Sequence, residues 1–245
     1  MPSVSHRLDR FIARELNISK SAVRELLIQK KIVVDGNTHC AMNQPVGRFT
    51  SVIVDGKILQ QREPLYLMLH KPKGTVSATK DDKHQTVIDL IDHPEKSELH
   101  IAGRLDFNTT GLLLLTNDGA WSQALSLPDN NVNKIYRVTL QRAIDENNLA
   151  EYRRVFREGI YLTPEKITTR PATLDVISPN EVELSICEGR YHQVKRMFGF
   201  FRNEVCELHR IAIGHIELDK ALAAGECRSL TLKEVNTVLA KKYNA

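Results

Sequence analysis

The sequence predicts an α+β protein with two unequal parts, a small N-terminal domain and a larger domain built on a mixed, mainly antiparallel sheet. Three observations predict this class. The 245 residues are 42% apolar and 26% charged, which is ordinary globular composition. At about 150 residues per domain, this length favours one domain with an appendage or two unequal domains. Two helical patterns open the chain, whereas apolar runs of strand length recur after residue 64.

The N-terminal part is predicted to form two helices followed by short strands. Apolar residues between Leu8 and Leu16 recur with helical spacing. Ser19 is a suitable N-cap for a second helix because its hydroxyl can accept a hydrogen bond from the first turn. Residues 32–34 and 51–54 read as strands, and each run ends in an Asp-Gly turn.

Basic charge is concentrated in this part. Residues 1–62 hold ten Lys and Arg against five Asp and Glu, whereas residues 63–245 hold 24 against 25. Such asymmetry is typical of a module that meets phosphates, although a solvated basic surface has the same balance. Pro64 disfavours helix at the preceding residue and opens an apolar run. We therefore place the domains at residues 1–62 and 63–245.

The stretch RLDRFIARELNISKSAVRELLIQKKIVVDGN resembles the S4 RNA-binding domain. The resemblance covers roughly residues 5–50 and includes the helix–turn–helix–strand order and the closing V-D-G. It implies that six residues face RNA phosphates: Arg7, Arg10, Ser19, Lys20, Arg24 and Lys31.

Strand and helix patterns in the larger part predict the mixed sheet. The predicted strands are Leu65–Leu69, Leu112–Thr116, Ile135–Leu140, Ala172–Ile177, Glu181–Ile186 and Ile211–Leu218. The predicted helices are Thr86–Ile91, Trp121–Leu125, Asp145–Phe156, His192–Phe200 and Thr231–Leu239.

Several classes of protein are disfavoured by the motifs that the sequence lacks. There is no phosphate-binding Gly-rich signature, no zinc-protease motif and no closely spaced pair of cysteines. The four cysteines are therefore expected to be reduced thiols, with no metal site. The apolar runs are too short to cross a membrane, and the first residues lack an apolar leader. A cytoplasmic protein is expected.

The segment that follows Gly103 is the most informative in the larger part. It places Arg104 and Asp106 two residues apart in a loop rich in Gly and Thr, directly before an apolar strand. Loops held by such strands often carry the chemistry of an enzyme. An Asp in this position is also suited to cap the Asn-Thr-Thr turn. The residue types alone leave both interpretations open.

Four segments together resemble, in order, the motifs of the pseudouridine synthases. They are HKPKG (70–74), AGRLDFNTTGLLLLTNDG (102–119), NKIYRVTL (133–140) and EGRYHQVKRMFGFFRNEVCELHRIAIGHIELD (188–219). The family motif commonly begins Asn-Lys-Pro, whereas this chain has His70, which can replace only some of the hydrogen bonds of Asn. The resemblance implies an isomerase that converts uridine in RNA to pseudouridine, with no cofactor and no metal.

The resemblance also implies roles for individual residues. Asp106 is the catalytic carboxylate, acting as a nucleophile or through a glycal-like route. Lys195 is the cation that keeps it ionised and oriented, and Tyr136 stacks on the uracil. Arg104 enters the space left by the flipped base. The alternatives are a solvated helix face for Lys195, core packing for Tyr136 and a loop salt bridge for Arg104.

Three further basic residues of the larger part are expected to contact RNA phosphates: Lys71, Lys134 and Arg190. EGRYHQVKRMF is most similar to the small-subunit branch of the family. The resemblance therefore implies uridine 516 of 16S rRNA as the target, in free RNA or in an assembly particle. The alternatives are a target in 23S rRNA and a catalytically silent RNA-binding assembly protein. A further alternative, an RNA hydrolase that uses Asp106, is disfavoured because the sequence offers no second catalytic carboxylate. Asp118 is better explained by the Asn-Asp-Gly turn that contains it. A monomer is expected.

Overall fold

The computed structural model describes residues 5–163 and 165–243 of the chain. The chain divides into two compact units between Pro64 and Leu65. Each unit has a hydrophobic core of its own, and each is described by itself.

The N-terminal unit packs two helices on short strands. Its helices are α1 (Leu8–Leu16) and α2 (Lys20–Ile28), and its strands are β1 (His6–Arg7), β2 (Ile32–Val34), β3 (Pro45–Val46), β4 (Val52–Val54) and β5 (Lys57–Gln60). Strand β4 lies between β2 and β5, and β1 pairs with β3. Ser19 caps α2 as predicted, since its hydroxyl accepts a hydrogen bond from the Ala22 amide. Leu8, Ile12 and Val23 are fully buried in the core beneath the helices.

The larger unit is built on one mixed sheet. The strands of this unit are β6 (Tyr66–Lys71), β7 (His100–Ile101), β8 (Thr110–Thr116), β9 (Lys134–Leu140), β10 (Tyr161–Leu162), β11 (Ile167–Thr168), β12 (Thr173–Ser178), β13 (Glu181–Ile186), β14 (Val205–Ile213), β15 (Ile216–Glu217) and β16 (Cys227–Ser229). The order β12-β13-β9-β14-β8-β6-β16 forms the sheet; outside this order, β7 pairs with β8 and β15 with β14, and β10 and β11 form a separate hairpin. Among the pairs of this sheet in the described residues, β14 with β8 is the parallel one. The predicted antiparallel bias is confirmed.

Helices cover both faces of this sheet. They are α3 (Gly119–Ser126), α4 (Glu146–Glu158), α5 (Gln193–Phe200) and α6 (Leu232–Tyr243). Successive residues of β8 point to opposite faces, so Leu113 packs in the core with α4 and α5, whereas Leu114 packs with α3 and α6. All four leucines of this strand are fully buried, which explains why it reads as a continuous apolar run.

The predicted helix Thr86–Ile91 is wrong. Thr86 instead forms a parallel bridge with Val76, and the residues after it make a turn. The carboxylate of Asp89 accepts hydrogen bonds from the amide and the hydroxyl of Thr86, each at 2.8 Å. Such local side-chain bonds to the backbone compete with helix formation.

The predicted strand Ile211–Leu218 covers parts of two strands. It joins the end of β14 to β15 across a turn at Gly214, and the Leu218 amide bonds the Ile211 carbonyl in the resulting hairpin. Strand β14 begins earlier, at Val205, where its residues alternate less clearly between exposed and buried positions.

No helix within the described residues is long and apolar enough to cross a membrane. Residues 1–4, which bear on the expectation about a leader, lie outside the described residues. The cysteines at positions 40, 187, 206 and 227 are free thiols. Within residues 5–163 and 165–243, no cluster of His, Cys, Asp or Glu side chains is suited to hold a metal ion.

Candidate active site

A small polar pocket lies in the larger unit, between the loop before β8, strand β9 and the start of α5. Five of the residues singled out from the sequence line it: Arg104, Asp106, Tyr136, Arg190 and Lys195. They come from three segments that are far apart in the chain. The fold therefore brings together a carboxylate, an aromatic ring and three cationic side chains.

The backbone, rather than the side chain of Asp106, closes the turn of the loop. The Thr109 amide donates to the Asp106 carbonyl at 3.0 Å. Among the described residues, the contact of the Asp106 carboxylate is with His192, whose Nε2 lies 3.5 Å from Oδ2. Both side chains are about one-third exposed. The interpretation of Asp106 as a turn cap is therefore wrong, and its carboxylate is directed into the pocket.

Lys71 does not face solvent as the predicted phosphate contact requires. Its side chain is fully buried, and its ammonium donates to the carbonyls of Pro72 at 3.0 Å, Phe107 at 3.3 Å and Thr109 at 2.9 Å. Burial lowers the pKa of Lys71 to about 8, and attraction to the Asp106 carboxylate opposes that shift. Lys71 thus holds the loop around Asp106 from beneath.

The close approach of two strands fixes the end of the same loop. Gly111 on β8 is the register partner of Arg210 on β14. Its φ is +104°, and a Cβ atom there would overlap the backbone carbonyl oxygen of Arg210. Only glycine satisfies both conditions, because it lacks Cβ and adopts positive φ without strain.

Arg210 is a site residue that the sequence analysis missed. Its buried guanidinium donates through Nε to the Leu112 carbonyl at 2.8 Å and through Nη1 to the Arg104 carbonyl at 3.3 Å. Nη1 also lies 3.5 Å from the Tyr136 hydroxyl. A sequence signal was available, since Arg210 shares the strand face of buried Leu208, where an apolar residue is expected.

Two buried polar atoms beside the pocket have no hydrogen-bond partner within the described part of the chain. They are Nη2 of Arg210 and Oγ1 of Thr109, and Thr109 lines the pocket. Buried donors and acceptors are normally paired, so unpaired ones in a cleft indicate capacity for a polar ligand.

Tyr136 belongs both to the pocket and to the core. Its ring is 7% exposed and packs in the core that α4 and α5 cover. The same residue lines the pocket. The core-packing interpretation is therefore confirmed, and stacking of Tyr136 on uracil stays a prediction that its place in the pocket allows.

The cations of the pocket differ in how they are engaged. The Nε of Arg190 donates to the buried carboxylate of Glu188 at 3.0 Å. Lys195 lines the pocket, but in the described residues it makes no ion pair with Asp106 within 4 Å, a position that His192 occupies instead. Arg104 is exposed and forms no ion pair in the same part of the chain. Lys134 does not line the pocket; it is half-buried on β9, and burial lowers its pKa.

In the N-terminal unit, the six residues predicted to face RNA are all exposed. Two of the cations are already paired, since Arg7 makes two hydrogen bonds to the buried Asp9 and Lys31 lies 3.3 Å from Asp55. The Arg7 hydrogen bonds hold the pKa of Asp9 below its usual range. Arg10, Lys20 and Arg24 stand on the exposed surface of α1 and α2.

Comparison with known proteins places the five pocket residues singled out from the sequence within the part of the chain that matches a family model. A family model described as RNA pseudouridylate synthase matches residues 65–199. Proteins named ribosomal small subunit pseudouridine synthase A are similar over 95% of this chain. Those of Yersinia pestis and Pseudomonas aeruginosa are 44% identical and covered over 97% and 100% of their lengths. That of Escherichia coli K12 is 43% identical and fully covered.

A solved structure is also similar over nearly the whole chain. The crystal structure of a pseudouridylate synthase aligns with a TM-score of 0.68 and 38% identity. The alignment covers 95% of this chain and 99% of that one.

Proposed function

Because the chain belongs to the RNA pseudouridylate synthase family, we propose that it isomerises one uridine of 16S rRNA to pseudouridine, with Asp106 as the catalytic carboxylate. The names of the similar curated proteins support a small-subunit RNA substrate. The resemblance of the EGRYHQVKRMF segment to the small-subunit branch supports uridine 516 as the target.

The observation that carries the proposal is the placement of Asp106. Its carboxylate enters a polar pocket on a loop that the Lys71 ammonium and the tight Gly111 pairing hold in position. A preorganised carboxylate beside an aromatic ring is what the reaction requires. No second carboxylate lines the pocket among the described residues, which disfavours the acid–base pair of glycoside hydrolysis.

The reaction breaks the N1–C1′ bond of uridine, turns the uracil and forms a C5–C1′ bond. The proton on C5 leaves, N1 gains one, and no other atom is gained or lost. Asp106 acts either as a nucleophile toward the ribose or through a glycal-like route, and both routes need the ionised carboxylate. The buried Lys71 ammonium is attracted to this carboxylate, and the Nε2 of His192 lies 3.5 Å from its Oδ2, so both groups can interact with it.

The other pocket residues suit handling of a flipped nucleotide. The aromatic ring of Tyr136 lines the pocket and can stack on the uracil. Arg104 is exposed next to Asp106, where a planar guanidinium can fill the space left in the RNA stack. Lys195 and Arg190 add positive charge to the pocket and attract phosphate.

A direct assay tests the reaction and its substrate together. The purified protein is incubated with 16S and with 23S rRNA, each as free RNA and in assembly particles. Pseudouridine is then mapped by carbodiimide labelling and primer extension, with Asp106→Asn as the control. We expect one new stop at uridine 516 of 16S rRNA that is absent with the variant.

Other outcomes of this assay separate the parts of the proposal. A stop at another uridine of 16S rRNA, or in 23S rRNA, keeps the chemistry and overturns the target. A full rate with Asp106→Asn overturns the catalytic assignment. Intact RNA binding without any stop favours the silent assembly protein.

The N-terminal unit is proposed to hold the RNA through its phosphates. Arg10 and Arg24 are exposed on its two helices, so replacing both with Ala should weaken binding and reduce the slope of log K against log salt by about one to two. Lys57→Ala, on an exposed strand position of the same unit, is the control. An unchanged slope for the double variant removes these residues from the RNA footprint.

A further inference from the structure

An exposed aromatic side chain stands between two residues that line the pocket. Tyr191 is 73% exposed, while its neighbours Arg190 and His192 both line the pocket. A large ring this exposed contributes little to the core. Its exposed position next to the pocket residues Arg190 and His192 therefore needs another explanation.

The Tyr191 ring is stacked on the His192 imidazole. The ring centroids are 3.9 Å apart and the planes are inclined by 19°, so one face of Tyr191 is covered and the other is open to solvent. His192 in turn contacts Asp106, with 3.5 Å between Nε2 and Oδ2. The His192 side chain therefore lies between the Tyr191 ring and the Asp106 carboxylate.

The backbone around this stack is held from several sides. His192 has a φ of +49°, a left-handed conformation that non-glycine residues adopt rarely. The side-chain oxygen of Gln193 accepts from the Arg190 amide at 3.0 Å, and the buried Gln193 also bonds Glu188. The Tyr191 carbonyl accepts from Arg196 at 3.2 Å. These bonds hold the backbone that carries the ring, and the stack on His192 orients the ring itself, which lowers the entropic cost of stacking on RNA.

Base flipping exposes the faces of neighbouring bases, on which an aromatic ring such as that of Tyr191 can stack. When a uridine leaves its stack, the faces of the neighbouring bases lose a partner. Proteins recognise such unstacked bases in RNA by laying aromatic side chains against them. A basic pocket wall beside the ring, with Arg190 and Lys195, suits the adjoining phosphates.

We propose that the open face of Tyr191 stacks on the unpaired base adjacent to the target uridine, with His192 supporting the ring from behind. The inference rests on the proposed function and specifies part of its RNA recognition. Tyr191 is a binding residue in this assignment, whereas the reacting group is Asp106.

The test compares variants of Tyr191 on RNA with and without the neighbouring base. Single-turnover rates are measured on a 16S rRNA segment, assembled by ligation, that contains the mapped uridine. Two further RNAs lack the base on its 5′ or its 3′ side. Tyr161→Ala removes a Tyr that is 59% exposed and does not line the pocket, and serves as the matched control.

We expect Tyr191→Ala to lower kcat/KM about tenfold and Tyr191→Phe to leave it nearly unchanged, because stacking needs the ring and not the hydroxyl. The defect of Tyr191→Ala should disappear on one of the two abasic RNAs, where the wild-type protein has lost the same contact. Tyr161→Ala should behave as the wild type on all three.

Two results would overturn the inference while leaving the proposed function intact. One is a wild-type rate for Tyr191→Ala. The other is an equal defect on all three RNAs, which would mean that Tyr191 acts only by orienting His192 or contacts something other than a flanking base. If the wild-type protein forms no pseudouridine in any RNA, the proposed function fails first and the inference with it.

A binding measurement gives an independent readout. With Asp106→Asn protein, 2-aminopurine at the flanking position should lose fluorescence on binding, and adding Tyr191→Ala should restore it. Fluorescence that is the same with and without Tyr191 contradicts the stacking contact.

Discussion

Nη1 of Arg210 lies 3.5 Å from the hydroxyl oxygen of Tyr136, and the same guanidinium bonds the carbonyls of Arg104 and Leu112. One buried cation thus connects the tyrosine strand to the loop that carries Asp106. Arg210 therefore contributes to setting the distance between these two parts of the pocket.

Arg210→Lys should therefore misplace both parts at once. A lysine lacks the planar fork and can satisfy only some of these acceptors, so we expect kcat to fall tenfold or more. Tyr136→Phe should also be slow, and the double variant should be less impaired than the product of the two effects. Single-turnover rates test this, with thermal unfolding to confirm that the variants fold. Fully multiplicative effects would mean that the two residues act independently.

His192→Asn should lower kcat about tenfold without loss of stability. The substitution removes the imidazole that contacts Asp106, and a tenfold loss of rate corresponds to about 1.4 kcal/mol of transition-state stabilisation. Asn tolerates the left-handed backbone at this position. Arg202→Asn, at φ +54° after the same helix, is the control and should retain the wild-type rate. An unimpaired His192→Asn would show that the contact is dispensable.

Lys71→Met should reduce both stability and kcat. The change leaves three carbonyls around the Asp106 loop without their ammonium donor, which we expect to cost about 2–3 kcal/mol of unfolding free energy. Lys73→Met, two residues along and exposed, should be neutral. Urea denaturation and the rate on RNA measure the two effects. Equal stability of the two variants would contradict the structural role given to Lys71.

Gly111→Ala should be far more destabilising than Gly225→Ala. Both glycines have a φ near +100°, which costs a substituted alanine about 1 kcal/mol. At Gly111 the new methyl also overlaps the Arg210 backbone, whereas at Gly225 no atom lies within 4 Å. We expect the unfolding free energy of Gly111→Ala, measured by urea denaturation, to be more than about 2 kcal/mol below that of Gly225→Ala. Similar values would mean that β8 and β14 separate at little cost.

Stability in acid should depend on Glu234. Arg228 donates two hydrogen bonds to its carboxylate and, with the Thr231 bonds, lowers the pKa of Glu234 to about 2. A lowered carboxyl pKa stabilises the fold above the unfolded pKa near 4.5, and this contribution is lost as the pH falls toward 2. After allowance for solvent screening, the loss is about 2 kcal/mol.

The acid dependence is tested by urea denaturation of the wild type and Glu234→Gln at pH 6 and pH 3. The stability difference between them should be largest at pH 6 and shrink at pH 3. Glu158→Gln disrupts an exposed pair with Arg154 and should change little at either pH. A difference that does not vary with pH would assign the effect to packing.

The sequence predicted the elements whose local pattern agrees with their packing. Strand β13 has the predicted bounds, and α4 (Glu146–Glu158) differs from the predicted helix Asp145–Phe156 by one residue at its start and two at its end. The apolar run Leu112–Thr116 lies within β8. In each case the residues of the element itself contain the pattern that predicts it, with no contribution from distant parts of the chain.

The errors arose where distant residues decide the outcome. Lys71 reads as a surface cation, and only the carbonyls of a loop 36 to 38 residues away make its burial favourable. Arg210 was missed for the same reason, since its partners lie on two other strands. Thr86–Ile91 has a helical spacing of apolar residues, but its Thr and Asp side chains bond locally and favour a turn.

The parallel pairing of β8 with β14 has a consequence for how the protein acquires activity. It joins segments 98 residues apart in the chain, and such long-range contacts form late because loop closure costs entropy. The Asp106 loop is synthesised well before the strand that completes its support. A nascent chain that has not yet closed this pair should therefore be catalytically silent, so activity reports completed folding of the larger unit.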